Sequence, residues 1–458
     1  MTTNFRGFLL PENFENSDLQ AMVSDCETML VSVMQAIADR FDSSYPFVNT
    51  KLDLMTGADF AIDDPIRGQN AVYGWIQGRA LEALSGHCAW FRKKGLVPDL
   101  VGRLEMMMRQ VLDQVRDMRA QNGGRLWFFM TPDGQPFKLD KKGTPTVFRL
   151  TPDIPLGFSD MFSAKGMFAA ACYLGDGETK AESLSYINMV DDAVWTGRFE
   201  NDQVPLDPTN IVLPQPGRHF HGPFMIELGT AAMLVLQGEQ QGVTMGLRLI
   251  QRELDHYIQV NGRVDGLLEG DFWEAIDDAG MPYCDENGQV LSDPGHALEC
   301  VGLVLKFTQS AKQSGMLTPE QQKEIDRIET VMPLILHRNF DNGFLHYGIC
   351  KAFDLSARKP VNTDSPWWSL PETMRAAALC FLTAPKAQTR TMSDAIFRAC
   401  HNAFVQSFVR PDLFLMAYQT VTAQGKPVSV IPATADADPG YHTGLSIIDV
   451  IDAVEKRY

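Results

Sequence analysis

Residues 293–310 read DPGHALECVGLVLKFTQS, an Asp-Pro opening followed by a segment that is small and apolar on almost every side. A helix apolar all round has no face to give to water, so it belongs inside a helical assembly. Five other segments share this character: Val72–Phe91, Phe158–Gly175, His221–Gly238, Ser365–Ala384 and Pro439–Glu455. Between the apolar segments lie amphipathic, more charged ones, at about 18–41, 96–120, 177–198, 242–260, 318–338 and 387–409. The last four apolar segments start at 221, 293, 365 and 439, in steps of 72, 72 and 74 residues. Such a period suits a helix pair plus a hairpin. The linkers GGRLWFFMTPDGQP (123–136) and DGLLEGDFWEAIDDAGMP (265–282) spell short β-hairpins, and NGFLHYGICKAFDLSARKP (342–360) is a degenerate copy. The expectation is an all-α fold, a closed (α/α)6 barrel of six inner and six outer helices with short β-hairpins at the active-site end. It would span 1–458 as one catalytic domain, with 1–17 as an N-terminal extension. Two unrelated helical domains would need a linker, and the Pro-rich stretch Asn201–Pro223 sits inside the alternation, as a long loop.

The 458 residues carry 57 acidic against 40 basic side chains, a net charge of −17, which argues against nucleic-acid or anionic-membrane partners. The longest apolar runs, such as Ala376–Leu382, are far shorter than the roughly 20 residues of a bilayer span. The start MTTNFRGFLLPENFE lacks a basic stretch followed by a long apolar one. Eight cysteines are scattered singly with no CxxC pair, so reduced thiols in a cytoplasmic protein are expected.

In such a barrel the first turns of the inner helices converge at one end of the central cavity. Those positions hold Gln77, Arg79, Asp160, Glu227, His296, Glu299, Glu372, Arg375 and His442, accompanied by Phe162, Trp367, Trp368 and Tyr441. Polar groups in buried helices either line a wet cavity or pair internally. Aromatic faces mixed with hydrogen-bonding groups suit a sugar, which offers apolar C–H faces and a rim of hydroxyls. Glu269, from the second hairpin, is a further candidate sugar contact. His296 and Glu299 are three apart and share a helix face, so the carboxylate could fix the imidazole tautomer. Capping and packing after Asp293-Pro294 would explain the same spacing. His219-x-His221 has the look of a metal pair, but no third ligand has telling spacing, and no metal or other cofactor is expected.

The sequence resembles the N-acylglucosamine 2-epimerase family, which includes cellobiose 2-epimerases and mannose and sulfoquinovose isomerases. PGHALE (294–299) matches its PGH-x-x-E motif. WWSLPE (367–372) is similar to its WWPQAE, GYH (440–442) to its C-terminal F-H, IQGR (76–79) to Q-A-R, and SDMF (159–162) to D-x-F. The matches are collinear over about residues 70–445. The resemblance implies the (α/α)6 barrel and His296 and His442 as an acid/base pair. It also implies Glu299 supporting His296, Arg79 near O1 or O2 of the sugar, and Trp368 and Glu372 lining the pocket. It allows a homodimer. Ser369-Leu370 stands where members have Pro-Gln, and Leu445 where many have Arg.

Proton transfer at C2 of an open-chain aldose needs a base beside an acidified C–H and a donor for the developing enediolate oxygen. Two imidazoles on opposite faces would give 2-epimerisation; one that returns the proton to C1 would give a ketose. The contrasting expectation is a glycoside hydrolase or lyase on the same barrel. Its two carboxylates would come from Asp160, Glu227, Glu269, Glu274 and Glu372. A non-catalytic sugar-binding toroid is the third reading.

Overall fold

The computed structural model describes residues 5–140, 143–203, 216–432, 434–435 and 437–457. The helices in chain order are α1 (Asn16–Asp39), α2 (Gly74–Lys94), α3 (Pro98–Gln121), α4 (Phe158–Leu174), α5 (Gly177–Trp195), α6 (Gly222–Leu236), α7 (Gln241–His256), α8 (Pro294–Ser314), α9 (Pro319–Gly343), α10 (Ser369–Thr383), α11 (Ala387–Ser407) and α12 (Ser446–Val454). A π-helical turn, Tyr441–Leu445, leads into α12. Each apolar segment of the sequence forms an inner helix and each amphipathic segment an outer one.

The inner ring closes on itself. α2 packs on α4, α4 on α6, α6 on α8, α8 on α10 and α10 on α12, and the π-helical turn returns to α2. The outer helices α3, α5, α7, α9 and α11 pack on the inner helices that precede them, and α1 packs on α3 and α12. This is the (α/α)6 barrel. Small residues set its tightest seam. A Cβ on Gly166 of α4 would stand 2.0 Å from the carbonyl oxygen of Gly78 on α2, and one on Gly78 would stand 2.5 Å from that of Phe162. Only glycine lets the two backbones approach so closely.

Local chemistry starts and stops the helices. Asp293 caps α8, its carboxylate accepting from the backbone N–H of Gly295 at 2.9 Å, with Pro294 in the first turn and left-handed Gly315 ending the helix. Thr318 and Gln321 form a reciprocal capping box at the start of α9, again with proline in the first turn.

The hairpins do more than connect. Val72–Tyr73, just before α2, pairs with Phe129–Met130 after α3. The same antiparallel tie joins His219–Phe220 to Ala275–Ile276, Leu291–Ser292 to Ala352–Asp354, and Ser365–Pro366 to Thr420–Val421. Each tie clamps the start of an inner helix to the loop after the next outer helix. The turns Thr131–Gly134 and Asp277–Gly280 are the two hairpins expected from the sequence, and Thr422–Gly425 is a third with the same bonds. Its sequence, TAQGKP, lacks the run of adjacent aromatic residues that marks the other two. At the degenerate copy, Arg358 takes the left-handed conformation (φ 53°) of the missing turn glycine.

The N-terminal stretch is fastened, with the backbone N–H groups of Arg6 and Phe8 donating to Asp25 of α1 and Leu10 bonded both ways to Asn402 of α11. Residues 204–215 of the expected long loop lie outside the described residues. The helix α1 is long and apolar enough by composition to cross a bilayer, which the search for apolar runs overlooked, and its apolar face packs within the barrel wall.

Candidate active site

The N-terminal ends of the inner helices present the chemistry. His296 sits in the first turn of α8. Its Nδ1 lies 3.1 and 3.2 Å from the two oxygens of Glu274, which comes from the hairpin after α7. Glu274 is itself fixed, its Oε1 accepting from the backbone N–H of Asp293 at 3.1 Å. Asp293 lies 3.6 Å from the same ring nitrogen and is paired on its other side with Lys351 at 2.6 Å. Burial disfavours the imidazolium, but Asp293 and Glu274 outweigh it, and the His296 pKa is raised from 6.5 to about 9. Burial works against ionisation of Glu274 too, yet the His296 and His221 rings hold it well below the usual carboxylate range.

His442 stands in the π-helical turn, a distortion often found at functional sites. The Asp438 carboxylate anchors that turn by accepting from the backbone N–H groups of Tyr441 at 2.8 Å and Thr443 at 2.7 Å. The Nδ1 of His442 lies 3.1 Å from Glu372. Glu372 also accepts from Ser446 at 3.0 Å and forms a close ion pair with Arg375. Despite burial, Arg375 and His442 keep the Glu372 pKa lowered. Glu299 lies 4.0 Å from the same Nδ1. Burial and the neighbouring Glu372 charge raise its pKa.

The indole of Trp368 links the two imidazoles. It stacks on His296 at 5.2 Å between centroids and tilts against His442 at 5.8 Å. Among the described residues the Nε2 atoms of both histidines have no protein partner, whereas both Nδ1 atoms face carboxylates. Trp367 meets the His442 ring edge-on at 6.3 Å. The Arg79 guanidinium lies 4.1 Å from the Phe162 ring and 5.1 Å from the Tyr441 ring, and its Nε has no hydrogen-bond partner. The Tyr441 hydroxyl accepts from Lys165 at 3.1 Å; burial and nearby Glu82 push its pKa up to about 12. A cavity of about 300 Å³ runs along the barrel axis beneath the histidines. It touches Glu299, Glu372 and Tyr441 above, and Ala89 and Gln237 at the far end.

The structure thus gathers His296, His442, Glu299, Arg79, Phe162, Trp367, Trp368, Glu372 and Tyr441, and it reassigns several roles. Glu274, rather than Glu299, holds the His296 ring, because the hairpin brings it to Nδ1 while Glu299 points towards His442. Glu372 stands behind His442, 2% exposed, with Oε1 shared by the His442 ring and the Ser446 hydroxyl and Oε2 in the Arg375 ion pair. Asp160 is no sugar contact: it is fully buried and accepts from Tyr186, Arg125 and the backbone N–H groups of Leu126 and Gly157. Glu227 faces Asp191 and Arg248 of the outer ring, and burial raises its pKa well above the usual range. Glu269 is exposed and closes a turn by accepting from the backbone N–H of Asn261 at 3.1 Å.

His221 and Lys165 were missing from the expected site. The His219-x-His221 pair drew attention, but its members diverge: His219 reaches Asp278 at 2.8 Å on the surface, whereas His221 is buried against Glu274 at 3.4 Å. The donor atoms of His221, Glu274 and His296, and of Glu299, Glu372 and His442, lie within 4.8 Å of one another, near enough to share an ion. The ring-to-carboxylate contacts of 3.1 Å in each triad are hydrogen-bond distances, and both triads are read as proton-sharing groups.

The fold is an (α/α)6 barrel with two carboxylate-paired histidines and a pair of tryptophans at one end of its inner helices. The chain is similar in structure to a cellobiose 2-epimerase from Bacillus thermoamylovorans, with a TM-score of 0.67 at 11% identity over 96% of this chain and 100% of that one. It is also similar to a D-mannose isomerase, with a TM-score of 0.59 at 12% identity over 92% and 97%. A possible glycoside hydrolase family 105 member from Salmonella enterica gives a TM-score of 0.50 at 10% identity over 98% and 97%. At these identities the likeness establishes the fold. No protein-family model and no curated protein sequence matches the chain.

Proposed function

We propose that the protein interconverts aldoses at C2, by 2-epimerisation or aldose–ketose isomerisation, through proton transfer by His296 and His442. One observation carries this reading. Both imidazoles lie against Trp368, each with a carboxylate at Nδ1 and an Nε2 without a protein partner among the described residues. A carboxylate at Nδ1 fixes the tautomer and directs Nε2 towards whatever occupies the pocket. Held protonated near neutral pH, His296 suits the donor role, and His442 takes the proton from carbon. In the reverse direction the roles exchange. Arg79 is the cation available to a developing enediolate oxygen. Trp367 and Trp368 offer flat faces to the sugar's C–H surface.

Of the five carboxylates named for a hydrolase, four are bonded to other partners and the fifth, Glu227, is buried towards the outer ring. Asp160 is structural, Glu269 lies on an outer turn, Glu227 faces the outer ring, and Glu274 and Glu372 are bonded to the histidines. Proton NMR in D2O tests the proposal with glucose, mannose, N-acetylmannosamine, cellobiose and mannobiose. Loss of the C2 proton signal, with an epimer or ketose appearing, supports it. New reducing ends without C2 exchange would refute it in favour of hydrolysis.

A further inference from the structure

Behind His296 lies a buried group that the proposed chemistry does not use. His221, at the start of α6, is 1% exposed and lies beside the rings of Phe272 (4.7 Å), His296 (5.5 Å) and Tyr257 (5.8 Å). Its Nε2 is 3.4 Å from Glu274 Oε1 and its Nδ1 3.9 Å from Glu253 Oε2, close contacts in which neither nitrogen completes a hydrogen bond among the described residues. Glu253, on α7, is 1% exposed, and among the described residues neither carboxyl oxygen has a hydrogen-bond partner. The order in space is therefore Glu253, His221, Glu274, His296. Two imidazoles from different inner helices face one carboxylate, and the second carboxyl group stands behind the buried ring.

We propose that His221 is a positioning residue that competes with His296 for the Glu274 carboxylate. This rests on the acid/base reading of His296. The physical basis is charge sharing. A carboxylate accepting from two donors is less available to either than one accepting from a single donor. Burial raises the Glu253 pKa well above the usual range, so Glu253 stands behind His221 as a neutral acid and draws no charge away from Glu274. The other charged groups around His296 are Asp293 at 3.6 Å, Lys351 bonded to Asp293, and Glu299 on its own helix. His221→Phe keeps the edge-on ring contact with His296 at 5.5 Å, so what the lost N–H changes reaches His296 through Glu274. The arrangement holds His296 as a donor that can still release its proton.

The test uses the full chain labelled with 15N-histidine, and its readout needs no substrate. In the wild-type protein His221 is expected to carry a proton on Nε2; a neutral ring protonated only at Nδ1 cannot donate to Glu274 and overturns the proposal. His221→Phe keeps an aromatic ring among Phe272 and Tyr257 and removes the donor. It is expected to raise the His296 titration midpoint by about half to one unit, roughly three- to tenfold tighter proton binding. His221→Gln restores an N–H and is expected to return the midpoint towards wild type. An unchanged midpoint in folded His221→Phe overturns the proposal. If no sugar shows C2 exchange while the midpoint moves, the reaction fails and the coupling stands.

Discussion

Replacing Glu274 by glutamine removes a charge and leaves the shape. An amide oxygen in the place of Oε1 can still accept from His296 Nδ1, 3.2 Å away in the native protein, and from the backbone N–H of Asp293. What is lost is one of the two negative charges that raise the His296 pKa from 6.5 to about 9 against burial. Asp293 remains, partly answered by Lys351 at 2.6 Å. An opposite charge at such a distance shifts a pKa by about 1–3 units. The midpoint should therefore fall by roughly 1–2 units, to about 7–8. In the direction where His296 supplies the proton, kcat/KM is lost as pH rises through that value. The variant should retain activity within about threefold at pH 6 and fall roughly tenfold or more at pH 9, as its basic limb moves down. Stability follows the same sign. A histidine with a raised folded pKa stabilises fully below its unfolded value and loses that contribution as pH climbs through the folded one. The wild-type protein should thus lose thermal stability relative to Glu274→Gln between about pH 6.5 and 9, by on the order of 1–2 kcal/mol for a partly exposed ring. Rate profiles across pH, followed by NMR, and parallel melting curves measure both. A basic limb that stays in place, or movement of the acidic limb alone, would refute the assignment of His296 as donor.

His296→Ala and His442→Ala should each lower turnover by at least about two orders of magnitude, the scale of lost general acid/base catalysis, and full activity in either removes its assigned role. Gly166→Ala would drive a Cβ to 2.0 Å from the Gly78 carbonyl oxygen. Overpacking there should cost about 1–3 kcal/mol and lower Tm by about 1–3 °C in calorimetry; an unchanged Tm means the α2–α4 seam is loose. Arg79→Met keeps the apolar stem against Phe162 but removes the cation, so kcat/KM should drop roughly tenfold or more with the fold intact by circular dichroism. Since both triads are read as sharing protons, prolonged chelation should leave the rate unchanged; loss restored by a divalent ion would make one triad a metal site.

The carboxylate commitments also explain how one barrel can host different sugar chemistries. A hydrolase needs two carboxyl groups facing the scissile bond. Here Glu274 and Glu372 are each bonded to an imidazole, which under the proposed reading leaves ring nitrogens as the groups presented to a ligand. Because the arrangement follows from a few side chains at the ends of helices, the same wall of helices supports either outcome.

The helical alternation could be read from the chain because it is local. A segment apolar on all sides must be buried wherever it lies, and an amphipathic neighbour must cover it, so twelve helices in two rings follow from composition and period. The histidines were legible through the family resemblance of PGHALE and GYH, both of which open inner helices. The partners of those histidines were not legible. His296 meets Glu274, 22 positions away on a hairpin, and His442 meets Glu372, 70 positions away on α10. The i, i+3 spacing pointed instead to Glu299, which shares the His296 helix face yet turns to the other imidazole. In the same way Asp160 was the right residue type in the right turn, but Arg125, Leu126 and Tyr186 use up its carboxylate from loops and helices that sequence spacing does not connect. Sequence alone determined which helices are inside and which histidines stand at the mouth. The tertiary structure decided which carboxylate charges which ring, because pairing across a barrel depends on the register of the hairpin ties and on ring closure. Neither leaves a periodic mark in the chain.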